Sequence, residues 1–76
     1  MWEVVGFRYR ATQNGENRYV DLFLQREAKA PAKGIECKAV DYREDKIAYV
    51  PVIGDRVAIS MGSYNGRQFL SDLEVC

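Results

Sequence analysis

Four residues in the segment "GFRYRATQNGENRYVDLFL", Arg8, Arg10, Tyr19 and Phe23, are spaced to fall on one face of a two-stranded unit. Side chains at alternate positions of an extended strand project to the same side, so Arg8 joins Arg10 and Tyr19 joins Phe23. An aromatic plane is a surface on which flat rings stack. A guanidinium supplies fixed donors to an anion and stacks as well. Residues of the same kind lie further along the chain at Gln25, Lys38, Tyr64 and Arg67, with Asn14 and Arg18 beside the first Asn-Gly pair. The chemistry on offer is ring stacking next to anion binding.

The parts for covalent chemistry are not in the sequence. There is no histidine to serve as a base near neutral pH, no nucleophile elbow and no glycine loop to cradle a phosphate. A non-enzymatic protein is expected, with no cofactor and no small-molecule substrate. Asp41, Glu44 and Asp45 cluster near a turn but lack the ligand spacing of a calcium loop, so a solvated turn is the reading. The two cysteines, Cys37 and the final Cys76, make neither a disulfide framework nor a zinc site. Reduced thiols fit a cytoplasmic protein, and no apolar run approaches the roughly 20 residues that span a bilayer, so no membrane partner is expected.

Seventy-six residues make one domain, 1–76, with a thin core. The formal net charge is zero, from 11 basic and 11 acidic residues, which argues against a general electrostatic binder of duplex nucleic acid. The charge is mildly polarised: residues 1–40 hold seven Lys/Arg against five Asp/Glu, and residues 41–76 hold four against six.

The elements that must position these residues are strands. Turn signals at "QNGEN", "KAPAKG", "RED", "VIGD" and "YNG" separate runs rich in Val, Ile, Tyr and Phe, the pattern of a small all-β barrel or sandwich. Strands are expected over Glu3–Thr12, Arg18–Glu27, Gly34–Tyr42, Asp55–Gly62 and Arg67–Val75. Asn14-Gly15 and Asn65-Gly66 accept the positive φ of tight hairpin turns. Gly6, in mid-strand, marks a bulge or a sharp bend. Pro51 argues against a central strand in the connector Asp45–Gly54, and no helical period runs through it.

Alternation puts Val5, Phe7, Tyr9, Val20, Leu22, Leu24, Val57, Ile59, Met61, Phe69, Leu73 and Val75 in the core. The third strand reads two ways, with Ile35, Cys37 and Ala39 inward or Val40 and Tyr42 inward, and a bulge between Ala39 and Val40 would reconcile them. The outward face then carries Arg8, Arg10, Tyr19, Phe23, Gln25 and Lys38.

This layout resembles the OB-fold, a five-stranded Greek-key barrel. The likeness covers most of the chain and rests on the long first hairpin with its mid-strand glycine, the third strand, the connector and "GDRVAISMGSYNGRQFLSDLEV". That last segment is similar to the fourth and fifth strands of single-stranded-DNA-binding and replication-type OB domains, through Gly54, Asp55, Val57, Ile59, Tyr64, Asn65, Gly66, Arg67, Asp72, Leu73, Glu74 and Val75. The connector is shorter than the usual capping helix of that fold. The resemblance implies a small replication or mobile-element accessory protein whose partner is single-stranded nucleic acid, DNA foremost, bound with little sequence preference. Such domains bind on the face of strands 2 and 3, flanked by the 1–2 and 4–5 loops, which here means Arg8, Arg10, Tyr19, Phe23, Gln25, Lys38, Tyr64 and Arg67. Bases would stack on the aromatics while the cations follow phosphates.

A second reading competes with the first. Arg8 and Arg10 can pair across strands with Asp21 or Glu27 as a solvated ladder. The exposed aromatics then serve a protein partner or a second copy of the chain.

Overall fold

The computed structural model of the chain describes residues 1–11, 15 and 17–76. It holds five strands in one antiparallel sheet: β1 Trp2–Ala11, β2 Arg18–Glu27, β3 Ile35–Arg43, β4 Arg56–Tyr64 and β5 Arg67–Val75. No helix occurs among the described residues. The order is β3-β2-β1-β4-β5. Three hairpin-linked strands with a fourth returning beside the first form a Greek key. The all-β class and the five strands agree with the sequence pattern, and β2 and β5 have the expected bounds. The closed barrel does not form. β3 and β5 approach one another but remain the two edges of the sheet, with no ladder between them.

Turn chemistry works as the residue types dictate. Asn65 (φ 51°) and Gly66 (φ 77°) both occupy the left-handed region, and they fold β4 back on β5 with Tyr64 opposite Arg67. Asn14 and Thr12 lie outside the described residues.

Two bulges decide which side chains reach the core. Val4 pairs with Leu24 and Gly6 with Phe23, so Val5 is the extra residue on β1. Inward parity therefore switches from even to odd along β1. Trp2 and Val4 are buried, whereas Val5, expected inside, is 41% exposed. Beyond the bulge Phe7 and Tyr9 face the same side as Leu22 and Val20, but they lie toward the hairpin end and stay partly exposed. In the second hairpin Ser60 pairs with Asp72 and Met61 with Leu70, leaving Ser71 as the extra residue. Ser71 Oγ donates to the Ser60 carbonyl at 2.9 Å. This bulge turns Leu70 inward and Phe69, expected in the core, outward over Gly62; a β-carbon on Gly62 would lie 2.7 Å from Phe69 Cζ. Met61 and Val75, also expected inside, are exposed; Met61 lies toward the turn of the hairpin, and Val75, though opposite Val57, is on the edge strand β5.

β3 has no bulge. Its ladder with β2 is continuous from Tyr19↔Arg43 to Glu27↔Ile35, so Val40 and Tyr42 are inward and Ile35, Cys37 and Ala39 are outward. The inward places below them are held by Glu36, exposed and paired with Arg26, and by the half-buried Lys38, whose Nζ is 5.9 Å from the Trp2 ring centre. Arg26, paired with Glu36, lays its guanidinium 4.0 Å from the Trp2 ring centre.

The core is Trp2, Val4, Val20, Leu22, Leu24, Val40, Tyr42, Val57 and Leu70, with Ile47, Tyr49, Ile59 and Leu73 packed against it. Ile47 and Tyr49 come from the connector, which two phenols tie down. Tyr42 Oη donates to the Tyr49 carbonyl at 2.7 Å, and Tyr49 Oη donates to Asp55 Oδ2 at 2.8 Å. Backbone bonds between Val4 and the Gly54–Asp55 pair, at 2.8 and 2.9 Å, hold its far end. Burial pushes the Tyr42 phenol well above its ordinary range, and burial followed by the Asp55 hydrogen bond raises that of Tyr49.

Candidate functional site

The outer wall of β1, β2 and β3 carries cross-strand rows set by register: Gly6–Phe23–Ala39, Arg8–Asp21–Asp41, Arg10–Tyr19–Arg43 and Glu3–Gln25–Cys37. Directly opposed residues share a face. Arg8, Arg10, Tyr19, Phe23 and Gln25 thus stand on one wall, as their spacing implies.

Phe23 is 37% exposed. Its ring lies on Gly6, where a β-carbon would come within 3.3 Å of Cδ2. The missing side chain on β1 lets the ring settle against the backbone. Beside it runs an apolar groove of about 310 Å³ lined by Val5, Phe23, Leu24, Cys37, Lys38 and Ala39. The exposed Val5 in this groove is a consequence of the Gly6 bulge that alternation alone does not register. Cys37 and Ala39 enter it because β3 keeps one parity throughout.

The row above is ionic. Arg10 donates from Nε to Asp21 Oδ2 at 2.7 Å and from Nη2 to Oδ1 at 2.8 Å, and reaches Asp41 Oδ2 at 3.4 Å. Its guanidinium carbon is 5.2 Å from the centre of the Tyr19 ring. Arg8 donates from Nε to the same Asp21 Oδ2 at 2.8 Å. Between the two arginines the Asp21 residue is only 8% exposed. The Arg10 hydrogen bond first, and the Arg8 hydrogen bond after it, hold its carboxyl below the usual range against the opposing effect of burial. The ladder anticipated between these arginines and Asp21 is therefore present. Arg8 is nonetheless 64% exposed along its side chain, and its Nη amines have no acceptor among the described residues.

The remaining candidates separate. Lys38 is opposite Leu24 on the inner side of β3, not on the outer wall, with Nζ 5.9 Å from the Trp2 ring centre; it reaches the groove only from its border. Tyr64, 74% exposed, and Arg67 form the tip of the β4–β5 hairpin. Neither strand of that hairpin is a sheet neighbour of β2, and the tip shares no cross-strand row with Phe23. Arg18 belongs to a cluster on the inner side, paired with Glu44 at 2.9 Å and stacked 4.2 Å over Tyr9, while Phe7 meets Tyr9 edge-on at 6.0 Å. Asn14 lies outside the described residues. The acidic turn residues Asp41, Glu44 and Asp45 all have arginine partners, Arg10, Arg18 and Arg43.

No protein-family model, curated protein or solved structure matches this chain.

Proposed function

We propose that this chain is an OB-type domain that binds single-stranded DNA, with little sequence preference, across the outer wall of β1, β2 and β3. One observation carries the reading: an accessible aromatic ring, Phe23, rests against Gly6 beside an apolar groove, on the same wall as the exposed Arg8 side chain. A base stacks on Phe23 and a second on the Arg10–Tyr19 pair, while the Nη amines of Arg8 take phosphate. The strand order supports the OB assignment, since β1 lies between β2 and β4 and the gap falls between β3 and β5, and that fold is a partly open Greek-key barrel. A small accessory role in replication of a mobile element suits a domain of this size.

Each stacked base contributes about 1–3 kcal/mol. The phosphate contribution is small, because Arg10 is already held by Asp21 and Asp41. The expected affinity is weak, with dissociation constants of about 10⁻⁵ M in low salt. Fluorescence anisotropy of labelled oligo-dT measures it. Phe23→Ala, checked for an unchanged fold, weakens binding about 5- to 100-fold. Absence of binding at tens of micromolar in low salt, or binding indifferent to that substitution, overturns the assignment. The neutralised arginines favour a second reading, in which the wall meets a protein. Oligo-dT titration separates the two.

A further inference from the structure

We propose that β3 is a self-association edge, pairing antiparallel with β3 of a second copy about a two-fold axis at Cys37. The geometry starts from the β2–β3 ladder. Ala28 N donates to the Gly34 carbonyl and Glu44 N to the Arg18 carbonyl, each at 3.0 Å, and the register between these ends is unbroken. Hydrogen-bonded pairs alternate along an antiparallel ladder. The even-numbered residues of β3 therefore spend their amide and carbonyl groups on β2, and the odd-numbered ones direct theirs outward.

β3 is the last strand of the sheet on its side. Its C-terminal end is closed off by the turn that follows, where Lys46 N and Ile47 N both donate to the Arg43 carbonyl at 3.0 and 3.3 Å. The N-terminal half is open, with Ile35, Glu36, Cys37 and Ala39 exposed. It carries neither proline nor bulge, devices that keep edges from pairing.

Charge selects both the occupant and the register. Two identical antiparallel strands pair symmetrically about one residue. An axis at Lys38 sets lysine against lysine, and an axis at Glu36 sets glutamate against glutamate; like charges directly opposed are destabilising. An axis at Ala39 runs the second strand into the closed end. Only an axis at Cys37 opposes Glu36 to Lys38 in both directions and places Ile35 against Ala39. The two Cys37 residues then form a hydrogen-bonded pair with Cα atoms about 5.5 Å apart, inside the roughly 4.4–6.8 Å span that a disulfide bridges. The pairing is made by the backbone edge of β3, and although Cys37 and Ala39 also border the groove beside Phe23, a test without nucleic acid makes its failure distinguishable from that of the binding reading.

The experiment uses full-length protein carrying Cys76→Ser, without nucleic acid. Under reducing conditions, sedimentation equilibrium is expected to show a monomer–dimer equilibrium. Adding diamide is expected to trap the dimer, as two Cys37 thiols lose their hydrogens to the diazene and form one S–S bond. Either Lys38→Glu or Glu36→Lys alone lowers the association constant at least tenfold, and the two together restore it. In a Cys37→Ser, Cys76→Ser, Ala39→Cys protein the introduced thiols are offset by four residues and do not cross-link. A protein that stays monomeric up to about 1 mM overturns the proposal, and Glu36 and Lys38 are then charges that protect the edge. Dimers unaffected by the single reversals, or a double reversal that fails to restore them, also overturn it. So does cross-linking at position 39 in preference to 37.

Discussion

Arg10 closes a two-bond fork on Asp21, Nε to Oδ2 at 2.7 Å and Nη2 to Oδ1 at 2.8 Å, while Arg8 takes a further bond to Oδ2. One carboxylate on β2 thus joins two guanidiniums of the neighbouring strand β1. Replacing Asp21 by asparagine keeps the shape and removes the charge, leaving two cations side by side. A loss of about 1–3 kcal/mol in urea denaturation at neutral pH is expected. The pH dependence follows from direction: the folded Asp21 carboxyl titrates below its unfolded value. Its stabilisation is complete above about pH 4 and fades as pH falls through the folded value. Glu36 and Glu44 shift the same way under hydrogen bonds from Arg26 and Arg18. Asp21→Asn flattens the acid limb of the stability curve; an unchanged limb contradicts the bridge.

The Ser71 bulge exchanges the roles of two neighbouring apolar residues. Leu70 is 7% exposed and Phe69 47%. Leu70→Ala is expected to cost about 2–5 kcal/mol, and Phe69→Ala no more than about 1 kcal/mol. Equal costs, or the reverse order, would place the bulge elsewhere.

Tyr42 anchors the connector with a buried phenol held far above its ordinary range. A raised folded value means that stability is full below the unfolded phenol range, about pH 10, and is lost as pH rises beyond it. Tyr42→Phe removes that alkaline loss, and at neutral pH it costs about 0.5–1.5 kcal/mol through the bond to the Tyr49 carbonyl. Denaturation at pH 8 and pH 11 reads both effects.

Arg8 and Arg10 should part company in binding experiments. The Nη amines of Arg8 have no acceptor among the described residues, so Arg8→Ala weakens oligo-dT binding and lowers the slope of log K against log salt by about 0.7. Arg10→Ala removes one member of the Arg10–Tyr19 stacking pair and most of the support of Asp21, so it weakens binding while leaving the salt slope unchanged, and it lowers the melting temperature. A thermal shift assay beside the salt titration distinguishes them.

Local chemistry accounts for much of this protein before any tertiary contact. Asn65-Gly66 demands left-handed φ values, so the β4–β5 turn is legible as a dipeptide. The strict alternation of Val20, Leu22 and Leu24 against Tyr19 and Phe23 gives β2 its bounds and both its faces. The shared wall of Arg8 and Phe23 follows from parity alone.

Cross-strand relationships are a different matter, because they depend on partners distant in the chain. Gly6 signals a bulge, but only the pairing of Val4 with Leu24 and of Gly6 with Phe23 makes Val5 the residue pushed outward and Trp2 a core side chain. Nothing in "RQFLSDL" marks Ser71 as supernumerary until Ser60 and Met61 lie opposite. The outward reading of Lys38 fails for the same reason: β3 takes its parity from Leu22 and Leu24, and Ile35, Cys37 and Ala39 are apolar without being inside. Whether an exposed arginine is free or bound to a carboxylate on the next strand, and whether β3 meets β5, are likewise properties of the assembled sheet. Composition and period set the alphabet of strands and turns; packing of one strand on another chose the register, the bulges and the open edge.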